Sequence, residues 1–327
     1  MEEFSVAAIM QIAMDACRTC GASPALASSL VEATLSAEIA GRREVGLRHL
    51  VDYLASLRDG RINGTAIPRI DRALPGFIRS DANGGIAQLG FDQCFHELVE
   101  SARTLGISIL TQRNSYTAGE LGYYVRRLAS EDLVSLAFAN CHAMVAPAIR
   151  TRPAFGTNPI AVGFPMPRDR APLIVDQAAS ATAFVNVLRS AASKTPLPEG
   201  WAIDSSGAAT TDPDMALLGA LLPFGGYKGA NLALLVEFMS AGLSGAAWSI
   251  EAGNFRSGTQ RPGIGLTVIA VAASTVFPGF AERIAQQVDR LQERGVHIPG
   301  AAAAFSNQSA TIEIEPEVLA SIRAFLA

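Results

Sequence analysis

Leu222-Pro223-Phe224-Gly225-Gly226-Tyr227-Lys228-Gly229 sets three glycines and a lysine at the mouth of an apolar, small-residue segment. Glycines let a backbone approach an anion closely. The first turn of a helix offers unpaired N–H groups and the positive end of a dipole, and a lysine adds a point charge. The combination suits a phosphate and points to a dinucleotide, with Gly225, Gly226, Lys228 and Gly229 as the candidate contacts. A Gly-rich loop with one lysine is also an ordinary helix entry, so the reading depends on its company. No Gly-x-Gly-x-x-Gly follows a first strand with an acidic residue downstream, so the usual Rossmann fingerprint is missing.

Composition bounds what such a site could serve. At 327 residues, with 49% hydrophobic and 17% charged residues, the chain is long enough for one large or two medium domains with an ample core. The 26 Lys+Arg balance 30 Asp+Glu without a long run of one sign, so there is no electrostatic footprint for nucleic acid or an anionic membrane. A small-molecule partner is favoured. The N-terminus, Met1-Glu2-Glu3-Phe4, is acidic where a secretory signal would be basic. The most apolar stretch, Ala230 to Ile250, carries Glu237 at its middle and reads as a helix buried in protein rather than a membrane span. Cys17, Cys20, Cys94 and Cys141 make no paired metal-ligand clusters, which predicts no metal site and a reducing, cytoplasmic setting. Cys17 and Cys20 share a helical stripe with Ile9, Ile12, Ala13 and Ala16, so they read as packing.

The elements that must position the glycine loop follow from periodicity and punctuation. Three helices are predicted over Phe4–Cys20, Pro24–Ala40 with Ser23 as N-cap, and Leu47–Arg58, with Gly41 and Gly60 closing the last two. Ala66 to Leu89, with Pro68, Pro75 and the turn Asn83-Gly84-Gly85, reads as short strands. Helices over Phe91–Leu105 and Glu120–Ser130 then alternate with strands over Ile107–Thr111 and Leu133–Ala139, followed by strands over Ile160–Phe164 and Leu173–Asp176. Lys194 to Asp214 reads as a long ordered loop around Trp201, which is taken as core. A small-residue helix over Tyr227–Leu243, a buried strand over Gly265–Ala273, an amphipathic helix over Phe277–Arg294, and a final strand (Ile312–Ile314) and helix (Pro316–Leu326) complete an α/β protein.

Several polar turns accompany the glycine loop: Asn140-Cys141, Phe155-Gly156-Thr157-Asn158-Pro159, Asp176-Gln177-Ala178-Ala179-Ser180, Glu199-Gly200-Trp201-Ala202-Ile203-Asp204 and Thr210-Thr211-Asp212-Pro213. In that order and spacing the set resembles the malate/L-lactate dehydrogenase family of the non-Rossmann kind, from about Ala37 to Ile314. That family includes ureidoglycolate, sulfolactate and dehydrogulonate dehydrogenases and reductases of cyclic imino acids such as piperideine-2-carboxylate. The resemblance implies NADPH or NADH as cofactor, a fold particular to the family with a helical N-terminal region and a mixed-sheet cofactor domain, and a homodimer with the active site in a cleft. It implies a helical, substrate-side domain over residues 1–115, completed by 295–327, and a cofactor domain over 116–294. By position, Cys141 matches a small polar residue near the nicotinamide, and Asp176, Gln177 and Ala178 the strand end lining the cofactor. Thr157 and Asn158 match the loop beside it, Lys228 and Gly229 the phosphate end, and Gly300, Ala301 and Ala302 a late cofactor contact.

The departures are as informative. Where family members carry Ser-His-Gly, with an arginine three residues after the glycine for the substrate carboxylate, this chain reads Glu44-Val45-Gly46-Leu47-Arg48-His49. Where they carry Asn-His-Phe-Gly, it reads Ser115-Tyr116-Thr117-Ala118-Gly119, and Phe184-Val185-Asn186 replaces a common Arg-Gly-Lys. Neither usual imidazole is present to move the proton that accompanies hydride transfer to a carbonyl. Either Glu44, His142 or Tyr116 supplies it, or the substrate is an imine that arrives already protonated. Arg48, with His49 beside it, is the candidate carboxylate anchor, because a planar guanidinium fork matches that group. His96 and His297 have no candidate partner nearby in sequence and read as structural. The leading expectation is a cytoplasmic NAD(P)H-dependent oxidoreductase acting on a small 2-imino or 2-oxo acid. Two alternatives stand: a malate- or lactate-like dehydrogenase, and a nucleotide-binding relative that has lost catalysis with its histidines.

Overall fold

The computed structural model describes residues 2–299 and 311–326. Strand β1 (Glu2–Ser5) leads into helices α1 (Val6–Thr19) and α2 (Pro24–Ile39), a 3-10 turn (Arg43–Val45) and α3 (Leu47–Arg58). β2 (Arg69–Leu74), β3 (Phe77–Asp81), α4 (Ala87–Leu105), β4 (Ile107–Ser115), α5 (Gly122–Ala129), β5 (Val134–Ala139), β6 (Ile160–Phe164), β7 (Leu173–Gln177) and α6 (Phe184–Ser193) follow. Then come β8 (Ala202–Ile203), β9 (Ala209–Thr210), α7 (Pro213–Leu217), β10 (Ala220–Leu221), α8 (Tyr227–Glu237), β11 (Ile264–Val271), α9 (Ala273–Val276), α10 (Phe280–Glu293), β12 (Thr311–Ile314) and α11 (Pro316–Arg323).

The fold is α/β, built on a mixed seven-stranded sheet in the order β2-β3-β4-β11-β5-β6-β7. Only β3 and β4, joined by α4, run parallel; the other neighbours in that sheet are antiparallel. Register brings many functional segments to one end. Ser115 at the finish of β4 faces Ile264 at the start of β11, Leu266 faces Ala139 at the finish of β5, Phe138 faces Ile160 at the start of β6, and Ile160 faces Gln177 at the finish of β7. The chain therefore delivers 116–117, 140–142, 157–158, 177–178 and the loop before Ile264 to the same sheet edge.

Two large cores hold this arrangement. Phe91, Leu98, Tyr124 and Leu128 of α4 and α5 pack on Leu110, Ala137 and Val268 of the sheet. Ile9, Leu30, Leu50, Leu54 and Ile322 of α1, α2, α3 and α11 form the second. Each such fully buried side chain contributes about 1.5–3 kcal/mol of transfer free energy. A smaller cluster of Val145, Val187, Leu197 and Leu221 receives Trp201 at its margin. Cys17 is buried in the second core, and burial pushes its thiol up to about 12, so it behaves as a small hydrophobe.

Several elements differ from the sequence-based expectations. Phe4 does not begin α1: it pairs with Ile312 in the β1–β12 ladder, and Ser5 caps the helix by accepting the Ala8 N–H at 3.2 Å. α4 starts at Ala87 rather than Phe91, because Ala87, Gln88, Leu89 and Gly90 are buried beneath the sheet end. The punctuated loop over 194–214 contains β8 and β9 and runs into α7, whose cap Asp212 accepts the N–H groups of Asp214 and Met215. α6 had no sequence prediction. The small-residue helix is regular only to Glu237 and continues as a π-helical turn over Phe238–Gly242, where Ser240 Oγ donates to the Val236 carbonyl and Thr267 Oγ1 to that of Met239.

Close packing of α5 on β6 depends on Gly163, where an added Cβ would lie 2.5 Å from the Val125 carbonyl oxygen and 3.0 Å from Ser135 Oγ. Gly163→Ala is expected to cost about 1–3 kcal/mol by overpacking, read as a lower urea midpoint with an unchanged m-value.

Candidate active site

At the sheet edge, backbone hydrogen bonds fasten the polar turns to one another. The Ala179 N–H donates to the Thr157 carbonyl at 2.8 Å, and the Ala179 carbonyl accepts the Phe224 N–H at 3.1 Å. Ser180 bridges Pro223, and the Ala181 N–H donates to the Leu222 carbonyl at 2.8 Å. Thr157, Ala178 and the glycine loop are thus adjacent. Cys141 joins them, since its Sγ accepts the Thr157 N–H at 3.3 Å and burial raises its thiol pKa.

Glu237 organises the layer beneath. Its buried carboxylate accepts from Asn158 Nδ2 at 2.8 Å and from the Ser249 N–H and Oγ at 2.6 Å each. Ser249 in turn accepts the Gly156 N–H on Oγ at 3.2 Å and the Ala143 N–H on its carbonyl at 2.8 Å. Asn158, expected beside the cofactor, is fully buried and spends its amide on Glu237 and the Ala233 carbonyl. It shapes the site from behind. Glu237 was legible in the sequence only as a charge in an apolar segment.

The glycine loop has the features a phosphate needs. Gly225 and Gly226 have φ of 57° and 64°, conformations that glycine adopts without strain, and both lie exposed. Gly226 is the N-cap of α8 and no side chain caps that terminus. Lys228 is exposed in the first turn. A side chain at Gly229 would drive its Cβ into the Phe224 carbonyl, so this position must be glycine for the loop to close on the helix. The residues present therefore fit a dinucleotide phosphate. Gln177 is exposed and Ala178 half-buried at the same edge. Gly300, Ala301 and Ala302 lie outside the described residues.

The candidate proton donors fare differently. Glu44 is bound by Arg189, with Arg48 at 3.7 Å. Tyr116 is buried between Ser56 Oγ (2.7 Å) and the Phe255 carbonyl (2.9 Å), and burial pushes its phenol well up. Thr117 Oγ1 meets Tyr53 Oη at 2.5 Å, and burial raises the Tyr53 phenol to about 12. His142 sits 5.4 Å, ring to ring, from Phe255; its buried Nδ1 has no hydrogen-bond partner, and burial together with the Arg256 charge lowers its pKa.

Arg48 is engaged by Glu315, the N-cap residue of α11, and by Glu44. His49 instead points inward, donating from Nδ1 to Asp52 Oδ2 at 3.0 Å and packing edge-on against Tyr53 and Phe255. Arg256 Nη2 reaches the same Asp52 oxygen at 3.0 Å. Burial alone would raise the Asp52 carboxyl, but the hydrogen bonds and charges of His49 and Arg256 hold it below the ordinary range. Asp52, Phe255 and Arg256 had no role in the sequence reading; the i,i+3 spacing of His49 and Asp52 on α3 was the one signal available.

Beside the sheet edge, a cavity of about 280 Å³ is lined by Arg42, Glu120, Arg126, Ile174, Asp176 and His297, among others. Glu120 and Arg126 form a buried ion pair at 2.7 Å. Asp176 accepts the Gly122 N–H at 2.8 Å, and burial, reinforced by the Glu120 charge, raises its carboxyl to about 6. His297 lines this cavity rather than standing isolated.

Comparison with known proteins agrees with this geometry. The family model for malate/L-lactate dehydrogenase matches residues 4–323. A (2R)-3-sulfolactate dehydrogenase (NADP(+)) of Chromohalobacter salexigens is 35% identical over 297 residues, covering 90% of this chain and 89% of its own. A Δ1-pyrroline-2-carboxylate/Δ1-piperideine-2-carboxylate reductase of Pseudomonas putida is 35% identical over 284 residues, covering 86% and 83%. The crystal structure of Δ1-piperideine-2-carboxylate reductase from Pseudomonas syringae pvar. tomato superposes with a TM-score of 0.93 at 31% identity, covering 99% of this chain and 100% of that one. The chain belongs to the malate/L-lactate dehydrogenase family. It is an oxidoreductase of that family.

The raised carboxyl of Asp176 makes a signed prediction. Its folded pKa of about 6 exceeds the ordinary 3.8, so the folded state holds the extra proton, and stability is lost as pH rises through about 6. Asp176→Asn, which keeps the acceptor for Gly122 without the charge, is expected to be more stable than wild type at about pH 8. Urea titrations should show that gap closing as pH falls toward about 4.

Proposed function

We infer that this protein is an NAD(P)H-dependent oxidoreductase that reduces a small 2-imino acid, cyclic or N-substituted, with 2-oxo acids as the alternative substrates. The observation that carries the reading is the convergence of Cys141, Thr157, Ala178 and the uncapped α8 terminus at one sheet edge. Gly225, Gly226, Lys228 and Gly229 would hold the phosphates, and Cys141, Thr157, Gln177 and Ala178 would line the nicotinamide end. Bound there, the reduced cofactor supplies the hydride.

The remaining chemistry belongs to the chain. Reduction of a ketone needs a proton at the developing alkoxide. Val45 and Thr117 offer no imidazole, burial and the Arg256 charge disfavour the His142 imidazolium, and burial makes the Tyr53 and Tyr116 phenols weaker acids. An imine nitrogen is basic enough to bring its own proton as an iminium, so the site need only orient it and exclude water. Thr117 Oγ1, fixed by Tyr53, is suited to orient the substrate rather than to protonate it. The similarity to pyrroline- and piperideine-2-carboxylate reductases supports the same choice.

The two-part division also becomes a proposal. Residues 1–115 with 295–327 form the substrate side and 116–294 the cofactor side, although the large sheet continues across the boundary through β4 and β11. We place the active protein in the cytoplasm as a homodimer. No helix among the described residues is long and apolar enough to cross a membrane. Leu234, Leu235, Phe238, Leu243 and Ile250 leave an exposed apolar face, 40–69% accessible, along α8 and the segment after it, which a second copy would cover.

With NADPH or NADH, turnover of cyclic 2-imino acids is expected to exceed that of 2-oxo acids by about 100-fold, a difference of roughly 2.7 kcal/mol in barrier, and methylamine should rescue the oxo acids. Faster turnover of 2-oxo acids without amine would return the protein to a malate- or lactate-like dehydrogenase. Absence of affinity for either reduced cofactor would end the enzymatic reading. Separately, Phe238→Glu should convert the dimer to monomer in sedimentation velocity; a wild-type protein that already sediments as monomer refutes the assembly.

A further inference from the structure

We propose that Arg256, held by Asp52, is the anchor for the substrate carboxylate, in place of the arginine that position 49 lacks. The proposal rests on the imino/oxo-acid reading and names the residue that recognises the acid.

The other cations near the sheet edge are committed elsewhere. Arg48 is turned to Glu315 and Glu44, Arg42 donates to the Asp176 main-chain carbonyl at 3.1 Å, and Arg126 is closed on Glu120. Lys228 belongs to the glycine loop and first turn of α8, read above as the phosphate contact. Arg256 has a different setting. It comes from the loop preceding β11 and crosses the sheet end to α3, where Asp52 Oδ2 accepts its Nη2 at 3.0 Å. Its guanidinium stands 5.2 Å from the Phe255 ring centre and 6.0 Å from that of Phe184, at the start of α6. The same Phe255 ring meets His142 at 5.4 Å and His49 at 5.7 Å. Arg256 also lies close enough to His142 for its charge to depress that imidazole.

Three segments therefore meet at this guanidinium: α3, the Cys141–His142 turn that matches the nicotinamide side, and the start of α6 that follows Ala178. A carboxylate bound next to a reacting C=N must lie at such a junction, because the carbon receiving the hydride is one bond from it. The side chain remains 37% accessible, so it can be reached. A guanidinium carries five N–H donors in a fixed fork, and one carboxylate does not exhaust them. Asp52 takes Nη2 and leaves donors for a second, incoming carboxylate. His49 completes the support by bonding the same Asp52 oxygen at 3.0 Å, so the carboxylate that aims Arg256 is itself fixed on α3. Asp52 is a positioning residue: it acts through Arg256.

The test measures binding as well as turnover. Wild type, Arg256→Ala, Arg256→Lys and Asp52→Asn are titrated first with NADPH, by its fluorescence, and then, as NADPH complexes, with pyrrole-2-carboxylate, a planar anion that cannot be reduced by hydride. Affinity for the anion is expected to fall on the order of 10–100-fold in Arg256→Ala, the loss of a charge-assisted pair, while NADPH affinity stays within about twofold. Arg256→Lys should recover part of the loss, and Asp52→Asn should raise KM for the imino acid more than it lowers kcat. The wild-type preference for a cyclic 2-imino acid over the corresponding carboxylate-free imine should collapse in Arg256→Ala. Unchanged anion affinity in Arg256→Ala overturns the assignment while leaving the functional reading intact. Equal loss of NADPH and anion also overturns it, by showing that the residue only holds the loop. A wild-type protein that binds NADPH but neither the anion nor any imino or oxo acid sinks the functional reading instead.

Discussion

The buried carboxylate of Glu237 is the constraint on which the glycine-loop end of this protein depends. It sits at the last regular turn of α8 and accepts from Asn158 and twice from Ser249, and Ser249 passes the connection on to Gly156 and Ala143. One side chain thereby ties the helix that starts at the glycine loop to both turns that flank Cys141. A charge removed from water costs free energy unless its lone pairs are satisfied, and here three donors converge on it. The network fixes where the helix N-terminus points relative to the turns at the sheet edge. A pocket for an extended ligand needs that relation at both of its ends.

The α3 side depends on a different kind of neutralisation. On α3 and its neighbours, carboxylates and guanidinium groups are sorted into closed sets: Arg48 with Glu315 and Glu44, Glu44 with Arg189, and His49 and Arg256 with Asp52. The first sets face the C-terminal helix and the α6 side. The last faces the sheet edge. This sorting leaves His49, Asp52 and Arg256 as a charged junction at the sheet end. Burial makes each phenol here a weaker acid and disfavours the His142 imidazolium. A substrate that carries its own proton suits such a site better than one that must be given it.

The α8 segment serves two demands at once. Its N-terminus must stay open, which calls for glycine at positive φ and an uncapped first turn, while its outer face carries Leu234, Leu235 and Phe238 in the open. In the π-helical turn after Glu237, Ser240 and Thr267 satisfy the carbonyls of Val236 and Met239. The glycine loop and the apolar face therefore lie on one rigid rod, so assembly of two copies and binding of a dinucleotide would be mechanically linked.

Much of this was legible without coordinates. Period and punctuation placed α2, α3, β6 and β11 within a residue or two, because their caps and apolar stripes are local properties of the chain. The glycine loop was legible for the same reason: positive φ and anion approach are demands on the residue itself. The starts of α1 and α4 were misjudged because tertiary contacts overrode local preference. Phe4 is captured by Ile312, more than three hundred positions away, and Gln88 is buried against Ala118 and Tyr53. Side-chain direction was beyond the sequence altogether. Arg48 and His49 are adjacent on α3, yet a helix turns successive residues by about 100°, so one faces Glu315 and the other Asp52. Asp52 and Arg256 are 204 residues apart, and only the tertiary fold brings the loop before Ile264 to the middle of α3. The sequence by itself determined which chemistry the residues could perform; the packing of the sheet edge against α3 decided which of them meet, because a charge is useful to a substrate only where its neighbours leave it room to bind.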